Sequence, residues 1–148
     1  MFKHILVPTD GSKLAEKGVK AGVKLAKALG AKVSGLYVIM PYIPPMYGEG
    51  AIYIPGLSPQ EYKRMSEKQA KKVLATVERE CKAAGVRCVA QFVTEAQPWK
   101  AILKVARLRK CDAISMASHG RGGLGGLLLG SETSHVLTHS KIPVIVIR

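Results

Sequence analysis

The sequence predicts an α/β fold: a doubly wound parallel sheet with helices on both faces. Three observations carry this. Short apolar runs rich in β-branched residues, such as Ile5-Leu6-Val7 and Val144-Ile145-Val146-Ile147, read as strands buried on both sides. Longer segments repeat apolar and lysine residues at three- and four-residue steps, the spacing of an amphipathic helix. The two kinds alternate as β-α-β-α-β-α-β-loop-α-β, and strands separated by helices lie parallel, joined by right-handed crossovers. At 148 residues the chain is expected to form one domain, 1–148, able to bury a real core.

His4–Pro8 is the first strand and ends at a proline. Asp10-Gly11-Ser12 makes a turn, with Ser12 as N-cap of a helix running to about Leu29. Its inward face is expected at Leu14, Ala15, Gly18, Ala21, Gly22, Leu25 and Leu29, and Gly30 ends it. Lys32–Ile39 is the second strand. Met40–Leu57 carries Pro41, Pro44, Pro45 and Pro55 with Gly48, Gly50 and Gly56, a density of breakers that neither helix nor strand survives. This 40–57 insertion is a loop, too apolar for a free linker. Ser58-Pro59-Gln60-Glu61 starts the second helix with a cap, a proline at the first helical position and a capping glutamate. That helix reaches Ala84. Val86–Val93 is strand three, Pro98–Lys110 helix three, Asp112–Ala117 strand four, Ser131–Ser140 helix four and Pro143–Ile147 the last strand.

Composition bounds the function. Hydrophobic residues make up 47% and charged residues 22%, ordinary for a globular protein. No apolar run is long enough to span a membrane, and the N-terminus leads directly into a strand, so a cytoplasmic location is expected. Cys81, Cys88 and Cys111 are odd in number and lack a Cys-x-x-Cys pair, which speaks against a disulfide framework or zinc site. The net charge of +13 draws anions. Lys13, Lys17, Lys20, Lys24 and Lys27 form one stripe on the first helix, which reads as a solvated face. No aromatic residues interleave with it and no nucleic-acid-binding motif is present, so nucleic acid is not expected as a partner.

The chemistry concentrates between Ser118 and Ser131. Six of the eleven residues from 120 to 130 are glycine, so the backbone can turn sharply and present bare N–H groups to an anion. Gly130-Ser131 then opens a helix, whose free N–H groups and dipole favour a phosphate. Two familiar patterns inside the segment fail on context. Gly120-x-Gly122-x-x-Gly125 matches a dinucleotide fingerprint but follows the fourth strand and has no acidic residue about 20 positions on. Gly125-x-x-x-x-Gly130-Ser131 resembles a P-loop, but Ser131 stands where its lysine must be. A loop without ligand is the plain alternative.

The sequence resembles the universal stress proteins over essentially its whole length. The matching residues are Ile5-Leu6-Val7-Pro8-Thr9-Asp10-Gly11-Ser12, then Ser118-His119-Gly120, nine residues and Gly130-Ser131, and the closing Pro143-Val144-Ile145-Val146-Ile147-Arg148. The resemblance implies a five-stranded sheet in the order 3-2-1-4-5, the adenine nucleotide alpha hydrolase-like arrangement. Nucleotide-binding members carry G-x-x-G, nine residues, G-S/T to hold ATP. Here Ala117 replaces the first glycine, and Ala96 replaces another family glycine before helix three. Carried over residue by residue, the resemblance places Pro8, Thr9 and Asp10 at the adenosine end. Val38 offers backbone to adenine. Met116, Ala117, His119, Gly120 and Arg121 line the ribose and α-phosphate side. Gly130, Ser131, Glu132 and Thr133 hold the outer phosphates. Mg²⁺ would ride on the triphosphate. Asp10 has a second reading, as the shaper of an Asp-Gly-Ser turn. Glu132 is repulsive beside a phosphate unless it turns away or meets the metal.

No recognisable catalytic constellation surrounds Asp10, His119 or Glu132, so slow ATP hydrolysis is the most to expect. Ser12 and Ser131 read as helix caps. His135 and His139, four apart, lack a further ligand for a metal. The last strand, Val144–Ile147, is apolar on both faces and lies at a sheet edge in this order, which invites pairing. The resemblance likewise implies a homodimer through it. The expected function is a nucleotide-responsive stress or signalling module, the alternative a partner-binding dimer of the same fold without nucleotide.

Overall fold

The computed structural model describes residues 1–44, 57–121 and 128–148. Its elements are β1 (His4–Pro8), α1 (Lys13–Leu29), β2 (Lys32–Ile39), α2 (Pro59–Ala84), β3 (Cys88–Thr94), α3 (Pro98–Leu108), β4 (Ala113–Ala117), α4 (Ser131–His139) and β5 (Val144–Ile147). The strands form one parallel sheet in the order β3-β2-β1-β4-β5, as the resemblance implies. The chain winds outward from β1 to β3, then returns to the other side of β1 with β4 and β5. The reversal lies between β1 and β4, where Ile5 stands opposite Ala113. A crevice for ligands opens beyond the carboxyl ends of strands at such a point.

Alternation along the central strands divides the core in two. Ile5, Val7 and Val33 face α1 and α2, where they meet Val19, Val23, Val77 and Cys81. Leu6, Leu36 and Ile114 face α3 and α4 and meet Ile102, Val105 and Val136. A fully buried Val, Leu or Ile contributes about 1.5–3 kcal/mol, so these two clusters are the main driving force for folding.

The helix ends follow local chemistry. Ser12 Oγ accepts from Ala15 N at 3.2 Å and caps α1. Ser58 and Glu61 form a reciprocal capping box on α2, with Ser58 N donating to Glu61 Oε2 at 2.9 Å and Glu61 N to Ser58 Oγ at 3.2 Å. That backbone donor holds the Glu61 carboxyl below its ordinary pKa. Gly30 and Gly85 end α1 and α2 in the left-handed conformation, at φ 64° and 70°, which glycine adopts without the Cβ penalty.

The inward face of α1 is rotated from the expected one. Ala15, Gly18, Val19, Gly22, Val23 and Ala26 are buried, whereas Leu14, Ala21, Leu25 and Leu29 sit half-buried on the flanks. Gly18 and Gly22 explain the rotation, because their missing side chains let α1 press onto β4. A methyl on Gly22 would stand 3.1 Å from Ser115 Oγ and from Val7 Cγ2. The five lysines of the stripe are all exposed. The described ends of the 40–57 insertion are pinned to α2: Tyr62 OH donates to Met40 O at 2.6 Å, Tyr42 OH to Leu57 O at 3.1 Å, and the two rings lie 5.4 Å apart. Residues 45–56 lie outside the described residues.

Candidate functional site

β1 ends at Pro8, which has no N–H, yet Thr9 N still donates to Leu36 O at 2.9 Å and keeps the chain beside β2. The next residues turn sharply. Thr9 Oγ1 accepts from Gly11 N at 3.2 Å and Asp10 Oδ1 from Ser12 N at 2.9 Å, side-chain bonds that stand in for strand pairing. On the neighbouring strand, Ser118 N donates to Ile147 O at 2.8 Å and extends the pairing of β4 with β5 by one residue. The chain then leaves the sheet and returns at Gly130, whose N–H donates to Ser118 O at 2.8 Å. Thr133 Oγ1, from the first turn of α4, donates to Ala117 O at 3.0 Å. Both ends of the glycine-rich loop are therefore tied at one place. Gly122–Leu127, within that loop, lie outside the described residues.

One contact joins the two strand ends. Asp10 Oδ2 accepts from Arg121 N at 2.7 Å across 111 residues of sequence. Asp10 thus spends both carboxylate oxygens on backbone N–H groups. Gly120 has to be small here, because a methyl on it would overlap Asp10 Oδ2. The Arg121 guanidinium reaches back over Gly11.

α4 begins without a side-chain cap. Ser131, expected as the cap, is the first helical residue, and Gly130 holds the cap position with φ −62° and ψ 153°. Among the described residues, no acceptor meets the N–H of Ser131, Glu132 or Thr133. Glu132 resolves the question of repulsion. Its Oε2 accepts from Trp99 N at 2.7 Å, so the carboxylate serves the first turn of α3, whose own cap residue Gln97 makes no side-chain cap bond. Trp99 in turn stacks on His135 and His139 of α4, with centroids 5.3 and 4.7 Å away.

The remaining expected residues divide by burial. Met116 is buried in the α3–α4 cluster and Val38 packs against it, so both side chains are spent on the core. The Ala117 methyl lies 3.5 Å from the position a Gly18 Cβ would take, which aims it at α1 rather than out of the strand end. His119 is half-buried beside Ser118 Oγ, at 3.2 Å, and Gly120, Arg121 and Ser131 are exposed.

Sequence reasoning missed one part of this neighbourhood. A cleft of ≈ 230 Å³ opens between α1 and α2 below Thr9 and Gly11, lined also by Glu16, Gln69, Lys72 and Thr76. Its α2 residues sit some 60 positions from the turn they adjoin, in a stretch with no motif. Among the described residues, no group of three or more His, Cys, Asp or Glu is placed to hold a metal, and no helix is long and apolar enough to cross a membrane.

A model of the universal stress protein family matches residues 1–148. The chain belongs to the universal stress protein family. A universal stress protein of Thermus aquaticus is 31% identical over 148 residues, covering all of both chains. The universal stress protein MJ0577 of Methanocaldococcus jannaschii is 32% identical over 162 residues, spanning all of this chain and 96% of that one. Its solved structure superposes with a TM-score of 0.78 and covers 99% of this chain and 96% of that chain. The fold is also that of a universal stress protein solved in complex with cAMP, 22% identical with a TM-score of 0.72 over 99% of this chain and 97% of that one. A further relative in fold, from Archaeoglobus fulgidus and in complex with dAMP, is 18% identical with a TM-score of 0.63 over 99% and 98%.

Proposed function

We propose that this universal stress protein is a cytoplasmic ATP-binding stress-response module that acts as a homodimer with little or no catalysis. The observation that carries the reading is the start of α4. A helix N-terminus with a glycine cap, whose first N–H groups meet no acceptor among the described residues, stands at the carboxyl end of β4, across from β1, and such an end favours phosphate through its donors and dipole. Gly130, Ser131, Glu132 and Thr133 would supply backbone donors to the outer phosphates. His119, Gly120 and Arg121 would flank the inner phosphate and ribose. Pro8, Thr9, Asp10 and the backbone of Val38, Met116 and Ala117 would frame the adenosine end. The adenine nucleotides named for the two complexes above make adenine the base to test first.

The donor set fits an anion better than a bare cation. Asp10 and Glu132 both have carboxylate oxygens engaged by backbone N–H groups, so Mg²⁺ would arrive on the triphosphate with its waters. Neither side chain is left as an obvious base for water, which supports binding over turnover.

Isothermal titration of purified protein with ATP, with and without Mg²⁺, tests the reading. Saturable binding is expected. Its absence at millimolar ATP would leave the partner-binding dimer as the better reading. The homodimer rests on β5, a four-residue edge strand of Val and Ile that is half-exposed throughout. Light scattering should give twice the chain mass, and Val146→Lys should give a monomer.

A further inference from the structure

Cys81 and Cys88 play no part in the site above. Cys81 sits in the last turn of α2, 1% exposed, within the core cluster under that helix. Cys88 opens β3 and is half-buried against the same cluster. Between them the chain turns through Gly85, and Val86 N returns to Cys81 O at 2.9 Å. This turn folds the strand back onto the helix it has just left, and Cys88 pairs in the sheet with Val33, which faces α2, so both thiols lie on one face of the sheet in the same cluster. The third thiol, Cys111, belongs to the cluster on the opposite face of the sheet. The sheet itself separates it from the pair.

We propose that Cys81 and Cys88 form a reversible disulfide under peroxide-class oxidants, which makes the α2–β3 turn a thiol-oxidation site. Their environments assign the roles. The neighbouring Cys81 thiol holds the Cys88 thiol below its ordinary pKa, aided by the backbone of Gly35 and opposed by burial and by Glu78. Cys88 is also the more accessible of the two, so it is the attacking sulfur. Its thiolate attacks one oxygen of the peroxide. The O–O bond breaks, hydroxide leaves and is protonated to water, and Cys88 becomes a sulfenic acid. The Cys81 sulfur then attacks the Cys88 sulfur. The S–S bond forms, the S–O bond breaks, and the oxygen departs as a second water carrying the Cys81 proton. Two electrons have passed from the two thiols to one peroxide. Cys81, held as a thiol by its neighbour Cys88 and by burial, takes part only once that sulfenic acid exists. Burial likewise pushes Cys111 up to about 11 and keeps it protonated and slow.

The test uses the full chain, reduced, exposed to hydrogen peroxide and then alkylated. Free thiols counted after denaturation should fall from three to one. Tryptic digestion should yield Glu80–Lys82 linked to Cys88–Lys100, two hydrogens lighter than the separate peptides. Dithiothreitol should restore all three thiols. Cys88→Ser, at a half-buried position that tolerates serine, should keep both remaining thiols at the same peroxide dose. Three free thiols in the oxidised wild type would overturn the proposal. So would a link involving Cys111, or a disulfide between chains in place of one within the chain.

Discussion

Replacing Asp10 with alanine removes a side chain that ties the end of β1 to the loop after β4. Two bonds go together: Oδ1 to Ser12 N at 2.9 Å and Oδ2 to Arg121 N at 2.7 Å. A hydrogen bond to a charged group contributes about 1.5–3 kcal/mol, and solvent near both bonds favours the low end or less, so the pair is worth about 2 kcal/mol. For a chain of this size that lowers Tm by roughly 4–8 °C. The effect on ATP has two opposing parts. Losing a carboxylate relieves repulsion of a triphosphate by about 1 kcal/mol or less through water. Freeing Arg121 and Gly120 removes the preorganised wall of the crevice, at a cost that exceeds this. The expected net result is about a tenfold rise in Kd, near 1.4 kcal/mol. Asp10→Asn separates the two parts, because it removes the charge and keeps one acceptor. It should recover about half of the lost stability. Thermal melts and calorimetric ATP titrations of both variants read the outcome. Unchanged Tm with equal or tighter ATP binding in Asp10→Ala would refute the assigned role.

Four further outcomes follow from the geometry. Gly130→Asp should abolish ATP binding in the same titration, because its Cβ would stand 3.0 Å from His119 Cα and its carboxylate would oppose an anion at the start of α4. Ala117→Gly should leave ATP affinity within twofold while costing about 1 kcal/mol of stability in urea, since the methyl packs toward Gly18 rather than toward ligand. Lys110→Gly should stabilise the chain by about 1 kcal/mol in the same assay, because Lys110 sits at φ 54°, where a side chain is strained. His4 is held below its ordinary pKa of 6.5, first by burial and then by Lys32. The unfolded chain therefore binds the proton first as pH falls, so stability is full above about pH 6.5 and declines below it. Urea midpoints measured across that range should flatten in His4→Gln.

The sequence made legible whatever is local or strongly patterned. The capping box at Ser58 and Glu61, the prolines opening α2 and α3, and the terminal glycines of α1 and α2 each act within a few residues. Strand order was legible through the family resemblance and through the alternation that forces parallel pairing. Errors fell where tertiary contact decides. The buried face of α1 follows the close approach of Gly18 and Gly22 to β4, not the positions of its leucines. Strand three begins at Cys88 rather than Val86, because Val86 N closes the end of α2. Helix three stops at Leu108, two residues early, through a left-handed lysine with no glycine to announce it. In the site, the glycine-led start of α4 and the Asp-Gly-Ser turn were visible as motifs, but Ser131, read as a cap, is the first residue of the helix. The bond from Asp10 to Arg121 and that from Trp99 to Glu132 span 111 and 33 residues, distances over which no spacing rule operates.

The contact of Glu132 with Trp99 has an optical consequence. Trp99 is the single tryptophan of the chain. Its backbone is held by a residue whose own N–H belongs to the start of α4, and its ring lies against two imidazoles of the same helix. Any shift of α4 on taking up an anion changes the distance between indole and imidazole, and contact quenching is steep in that distance. The protein therefore carries a built-in fluorophore packed against the helix that would receive the phosphates. Ligand occupancy can be followed by intrinsic emission, without a label.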